Sequence, residues 1–268
     1  MGRIEKVFAR GNKPLFIGFT VAGDPDKITS IRIARALIAG GTDILELGIP
    51  FSDPVADGPT IQKADERALM AQTTPDTVFE IVREIRKESD VPIVFLTYYN
   101  IVYRRGIGMF YREAHDAGVD GILIADMPVE ESEEICTVAS RCGIDPVFLI
   151  AQTTSDKRIK KIAAKARGYV YLVSVLGVTG VRDQVSGGAI DLLNLVRRHT
   201  SLPLAIGFGI STPAQAQTCA RAGADGVIVG SAIVEIVERN LKDPDAMECE
   251  LKEYVSSMKN ALIGDHPV

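Results

Sequence analysis

Ala39-Gly40-Gly41-Thr42-Asp43-Ile44-Leu45 reads as a helix stop, a tight turn and the first residues of a buried strand. The phrase returns as Ala117-Gly118-Val119-Asp120-Gly121-Ile122-Leu123 and as Ala222-Gly223-Ala224-Asp225-Gly226-Val227-Ile228. One joint used three times predicts a chain assembled from repeated units. Outward from these joints, strands are predicted over 15–20, 44–47, 92–98, 120–125, 146–150, 169–175, 203–207 and 227–229. Helical patterns cover 2–10, 28–38, 75–87, 107–117, 131–142, 156–165 and 190–198, then run from Pro213 and on toward 262. Thr74, the Thr154-Ser155-Asp156 run and Ser211-Thr212 are the candidate caps. Strands this short and apolar, each followed by a helix, belong to a parallel sheet covered on both faces. About eight such units predict an α/β fold, a closed (β/α)8 TIM barrel, with residues 2–10 as an extra N-terminal helix plugging its base. No linker or break in composition divides the chain, so residues 1–268 are expected to form a single domain.

At 268 residues the chain has the length of one such barrel, and 46% hydrophobic residues against 24% charged are enough for a large core. A formal net charge of −5 without a basic block argues against nucleic acid or an anionic membrane as partner. A small anionic substrate stays open, because backbone N–H groups hold phosphate without a cationic surface. Cys136, Cys142, Cys219 and Cys249 form no Cys-x-x-Cys pair and read as reduced thiols of a cytoplasmic protein. Neither a signal-type hydrophobic core nor an apolar run near 18 residues is present.

Beyond the first joint the sequence runs Glu46-Leu47-Gly48-Ile49-Pro50-Phe51-Ser52-Asp53-Pro54-Val55-Ala56-Asp57-Gly58-Pro59-Thr60-Ile61-Gln62. Glu46 lies inside the strand and Asp57 in a loop rich in Pro, Gly and Asp. A carboxylate among Ile and Leu is costly to bury ionised unless it is partnered, so Glu46 is either salt-bridged or chemically active. Barrels of this kind keep their active sites at the carboxyl ends of the strands. There, Gly207-Phe208-Gly209-Ile210-Ser211 and Gly230-Ser231 follow the last two strands, where phosphate is commonly held. The segment from Leu176 through Gly177, Gly180 and Arg182 to Gly187-Gly188 is expected to act as a lid. No lysine falls within a predicted strand, and His115, His199 and His266 do not cluster, which disfavours Schiff-base, metal-aldol and serine–histidine chemistry. Carboxylates remain, and with them proton transfer, with Glu46 and Asp57 as the leading pair. Asp24 and Asp126 are expected to serve as loop or cap residues. Tyr169 and Tyr171 alternate on one strand and share a face; either is core, or its hydroxyl orients a carboxylate.

The run from Leu45 to Gln62 resembles the signature of the tryptophan synthase alpha subunit family. The likeness extends through Phe19, Gly23-Asp24-Pro25, Tyr98 to Asn100, Gly177-Val178-Thr179-Gly180, Gly207 to Ser211 and Gly230-Ser231. It implies a barrel that cleaves indole-3-glycerol phosphate to indole and glyceraldehyde 3-phosphate, with Glu46 and Asp57 as catalytic carboxylates. It further implies Tyr171 as an active-site tyrosine, Thr179 as the lid threonine that orders Asp57, and Phe19, Leu96, Tyr98 and Phe208 as substrate contacts. Gly180, Gly209, Gly230 and Ser231 match the family's phosphate site. No metal or cofactor is implied for this chain; pyridoxal phosphate is expected in a partner beta subunit, within an α2β2 assembly that receives the indole. The lid departs from the family, since Val175-Leu176 stands where many members carry Arg-Ala.

Two other classes fit parts of the pattern. A phosphate-binding isomerase or epimerase would share the glycine sites without needing an aromatic slot. A regulatory subunit would not need the paired carboxylates.

Overall fold

The computed structural model describes residues 1–10, 14–173, 187–207 and 209–263. In chain order the elements are α1 (Arg3–Ala9), β1 (Leu15–Val21), α2 (Lys27–Gly40), β2 (Ile44–Gly48), α3 (Pro59–Met70), α4 (Pro75–Arg86), β3 (Ile93–Thr97), α5 (Tyr99–Arg105), α6 (Ile107–Ala117) and β4 (Gly121–Ile124). A short 3-10 turn over Val129–Glu131 leads to α7 (Glu133–Cys142), β5 (Asp145–Ala151), α8 (Asp156–Lys165), β6 (Val170–Val173), α9 (Gly187–Arg197), β7 (Leu204–Gly207), α10 (Pro213–Arg221), β8 (Gly226–Val229), α11 (Ser231–Arg239) and α12 (Pro244–Ile263). The strands close into a parallel barrel in sequence order, β8 pairing with β1. All eight predicted strands are present.

The repeated joint is built the same way three times. Gly41, Gly118 and Gly223 each carry a positive φ (109°, 101° and 90°), which an L side chain rarely adopts, and each ends a helix. Two residues on, Asp43, Asp120 and Asp225 turn their carboxylates back onto the strand before. They accept from the backbone N–H of Phe16 at 2.7 Å, Ile93 at 2.9 Å and Leu204 at 2.9 Å. Each aspartate also meets a cation, respectively Lys259, Arg86 and Arg197. The repeat is therefore a device for starting strands at the base of the barrel, where those N–H groups would otherwise lack partners.

Side-chain alternation sends Ile17, Ile44, Val94, Leu123, Val147, Tyr169, Ala205 and Ile228 to the barrel interior. Ile4, Val7 and Phe8 of α1 join this cluster from below, Phe8 meeting the Tyr169 ring at 6.0 Å between centroids. The N-terminal helix is the expected plug. Burying three such side chains contributes about 1.5–3 kcal/mol each, which is what holds a seven-residue helix in place. Outward strand residues such as Phe16, Leu45, Leu47 and Phe95 pack under the surrounding helices.

Two helices lie where loop was expected. Gly58-Pro59 ends the acidic loop and opens α3 with proline in its first turn, and Ile61, Ala64, Asp65 and Ala68 form its buried stripe. The short α5 begins directly after β3, its first N–H bound by Asp126 at 2.7 Å. Asp126 is thus a cap, as its place after a strand suggested. Asp24 is not. The capping residue of α2 is Asp26, while Asp24 is fully buried and takes a bidentate pair from Arg67 of α3 at 2.7 and 2.8 Å. Thr74 and Thr212 cap α4 and α10 as predicted, whereas Ser155 stands at the N-cap of α8 without a side-chain bond.

Candidate active site

At the carboxyl ends of the strands a cavity of about 180 Å³ opens between β1, β3, β6 and the turns after β7 and β8. Phe19, Ile61, Leu96 and Tyr171 give it an apolar and aromatic wall, Asp57 reaches it from one side, and Gly209, Gly230 and Ser231 close the other. A larger cavity, about 770 Å³, surrounds α1 at the opposite end and is lined by Arg3, Lys6 and Asp43. That end carries the strand-starting joints, so chemistry is assigned to the carboxyl end despite the smaller volume.

Glu46 occupies an inward position of β2, in register with Phe19 on β1 and Val94 on β3. It is 1% exposed. The Tyr169 hydroxyl donates to its Oε1, and its Oε2 has no hydrogen-bond partner. No cation pairs with it among the described residues, which sets aside the salt-bridged alternative. Burial therefore dominates, pushing the Glu46 carboxyl up to about 7, with the tyrosine bond opposing only in part. At neutral pH such a group can give up a proton or take one.

Asp57 is placed by the last turn of its loop and by Tyr98. The Asp57 N–H donates to the Pro54 carbonyl at 3.0 Å, and Gln62 of α3 donates to the Asp57 carbonyl at 2.8 Å. The Tyr98 hydroxyl donates to Asp57 Oδ2 at 2.6 Å and accepts from the Ala56 N–H at 3.1 Å. Burial raises the Asp57 carboxyl above its ordinary value, and the Tyr98 bond pulls it back. Tyr98, expected to touch substrate, does not line the cavity; it holds the carboxylate that does. Tyr171 lies on the cavity wall and feels the charge of both Glu46 and Asp57; of the two carboxylates only Asp57 lines the cavity, and Glu46 does not.

Gly209 has a φ of 77°, and Gly230 is the N-cap of α11, whose first residue is Ser231. A Cβ on Gly230 would lie 3.1 Å from the Phe19 ring. Free N–H groups at a helix start, glycine-lined and facing the cavity, suit a phosphate. Thr179, Gly180 and Phe208 lie outside the described residues, as does the expected lid up to residue 186; its last two residues, Gly187 and Gly188, open α9.

The sequence profile of the tryptophan synthase alpha chain matches residues 6–263. The chain belongs to the tryptophan synthase alpha chain family. It is 71% identical over 261 residues to the alpha chain of Methanoregula boonei, covering 97% of this chain and 98% of that protein. With the alpha chain of Lacticaseibacillus casei it shares 50% identity over 92% of each. Among solved structures, the alpha subunit from Legionella pneumophila superposes with a TM-score of 0.90 at 33% identity, over 98% of both chains. A structure of the tryptophan synthase α2β2 complex from Pyrococcus furiosus gives 0.86 at 42% identity, covering 91% of this chain and 97% of that one. The activity is that of the family, a carbon–carbon lyase cleaving indole-3-glycerol phosphate to indole and glyceraldehyde 3-phosphate in tryptophan biosynthesis.

Tyr169, which the sequence offers as core or as a hydroxyl orienting a carboxylate, is the residue that bonds Glu46. Asp65, buried on α3, was missed because α3 was not recognised; the spacing of Ile61, Ala64 and Ala68 around a carboxylate was the available signal. No cluster of His, Cys, Asp and Glu suited to a metal occurs among the described residues, and no helix there is long and apolar enough to cross a membrane.

Proposed function

We propose that Glu46 is the acid and base of the cleavage and that Asp57 is its electrostatic partner. The indole ring lies against Phe19, Leu96 and Tyr171, and the glycerol phosphate points to Gly209, Gly230 and Ser231. Protonated Glu46 gives its proton to indole C3, which turns the ring into an electron sink. Positive charge grows at N1, where the N–H donates to the Asp57 carboxylate. The Glu46 carboxylate then takes the proton of the C3′ hydroxyl, the C3–C3′ bond breaks, its electron pair returns to the ring, and the aldehyde forms. Glu46 ends as it began. One carboxyl can serve twice only if it ionises near neutrality, and the observation that supports this is its burial with a single tyrosine partner.

The phosphate assignment rests on glycine-lined backbone at the α11 start. Gly180, with Thr179 and Phe208, joins the site on the strength of the family signature alone. The whole of residues 1–268 is taken as one cytoplasmic catalytic domain.

A beta subunit is the partner, in an α2β2 assembly, and it docks at the barrel mouth. Val55, 83% exposed in the loop that carries Asp57, offers it an apolar contact. Pyridoxal phosphate belongs to that subunit. The described lysines of this chain lie neither in a strand nor on the cavity wall, so none of them is placed as a Schiff-base anchor. Indole release from indole-3-glycerol phosphate, measured with and without added beta subunit, tests the reading. Turnover that rises with the beta subunit supports it, and no indole under either condition refutes it.

A further inference from the structure

The inward face of β2 carries Glu46 and then, nearer the mouth of the barrel, Gly48. The register partner of Gly48 on β3 is Leu96, which lines the cavity, so at this level one strand offers a side chain and its neighbour offers none. The Phe19 ring fills the space. Phe19 stands opposite Glu46 on β1, and its ring leans along the strand to reach Gly48. A Cβ on Gly48 would lie 2.9 Å from Cζ and 3.2 Å from Cε2 of that ring, where ordinary contacts fall between 3.4 and 4 Å. The opposite edge of the ring meets Gly230, where a Cβ would lie 3.1 Å from Cδ1. Phe19 is thus seated between two glycines, and each seat exists because a side chain is missing.

We propose that Gly48 is a specificity-determining residue: its missing side chain seats the Phe19 ring against the barrel wall, and that seat sets the width of the slot taken by the indole ring. The inference rests on the indole placement given above. Gly48 lies in a strand without a positive φ, so its backbone would accept alanine. The added methyl could not withdraw, however. The Gly48 carbonyl accepts from the Ala22 N–H at 2.9 Å, and the Ile49 N–H donates to the Leu96 carbonyl at 2.9 Å, which pins β2 between its neighbours. The ring must therefore yield. Ile61, Ala64 and Val234 pack with Phe19, and the side toward which it can move is the cavity that it lines. The end displaced is Cζ, remote from the Gly230 edge. In a cavity of about 180 Å³ a flat bicyclic ring feels that displacement, and a phosphate held at Gly230 and Ser231 does not.

The test uses the chain bound to its beta subunit and two probes. Indole-3-propanol phosphate keeps the indole and the phosphate, whereas glycerol 3-phosphate keeps the phosphate without the ring. Gly48→Ala should weaken the first by about tenfold or more and leave the second within about twofold. In the cleavage assay KM should rise by a similar factor, with kcat less affected. Leucine at position 19 would end short of Gly48, so adding Gly48→Ala to Phe19→Leu should cost no further affinity. If Gly48→Ala alone does not fold, that comparison carries the test. Unchanged affinity for the indole probe, equal losses for both probes, or a further loss or failure to fold in the Phe19→Leu background each overturn the inference. Phe19→Ala is the control. If it binds the indole probe like wild type, the indole placement falls and takes the inference with it; if it weakens that probe while Gly48→Ala does not, the inference alone falls.

Discussion

The Tyr169 hydroxyl donates to Oε1 of Glu46 across the barrel, from β6 to β2 on the far side. Both residues are shut off from solvent, and among the described residues this bond is the only polar contact that draws the Glu46 carboxyl back toward its ordinary value. Tyr169→Phe should therefore raise the Glu46 carboxyl further. Activity that depends on protonated Glu46 then persists to higher pH, and the alkaline limb of the kcat profile moves up. A limb that stays in place would separate Tyr169 from the titration of Glu46.

Burial of Glu46 also has a cost in stability, with a definite sign. The folded state holds the Glu46 proton up to about 7, the unfolded chain only to 4.5. Stability from this group is fully present below the unfolded value and is lost as pH rises through the folded one. Glu46→Gln cannot titrate and escapes the loss. Its stability relative to wild type should increase between about pH 4.5 and about pH 8 by on the order of 3 kcal/mol. Denaturant unfolding at the two pH values measures it, and an unchanged difference would mean that Glu46 does not titrate in the fold.

Phosphate binding is predicted to depend on backbone groups. Ser231→Val should weaken glycerol phosphate analogues, because a branched apolar side chain stands at the helix start where the anion must sit. Gly209→Val should do the same and adds backbone strain, given a φ of 77°. Titration with such an analogue reads the change. Unaltered affinity in both variants would move the phosphate elsewhere.

The barrel was legible in the sequence because its joints repeat. A helix stop, a glycine and an aspartate return three times, and the structure gives each aspartate the same task. The acidic loop was legible too, but the helix after it was not. Pro59 reads as part of a loop that continues to Gln62, although proline equally suits the first turn of a helix, so the sequence does not reveal α3 or, with it, Asp65 and Arg67. The buried Arg67–Asp24 pair joins residues 43 positions apart, a distance that no local spacing reveals. Alternation placed Tyr169 and Tyr171 on one face correctly. It could not say which met Glu46, since that depends on height within the barrel and not on period.

Coupling to the beta subunit should pass through the loop from Asp53 to Asp57. Asp53 is exposed and accepts from the Ser52 hydroxyl at 2.6 Å, outside the core. Asp53→Ala is therefore expected to fold normally and to keep basal turnover while losing part of the activation. A partner that favours the working loop conformation by about 1–3 kcal/mol raises activity roughly 5–150-fold. Indole formation by both proteins against increasing beta subunit gives the comparison, and equal activation would exclude Asp53 from the coupling.

The central claim is that Glu46 carries the proton. Glu46→Gln is nearly isosteric, removes the exchangeable carboxyl proton and leaves an acceptor for Tyr169. The decisive measurement is kcat for indole formation from indole-3-glycerol phosphate, wild type against Glu46→Gln, with saturating beta subunit. The account predicts a loss of about 10²–10⁴-fold in kcat with KM little changed, in a variant that unfolds cooperatively. Turnover within about tenfold of wild type would contradict it.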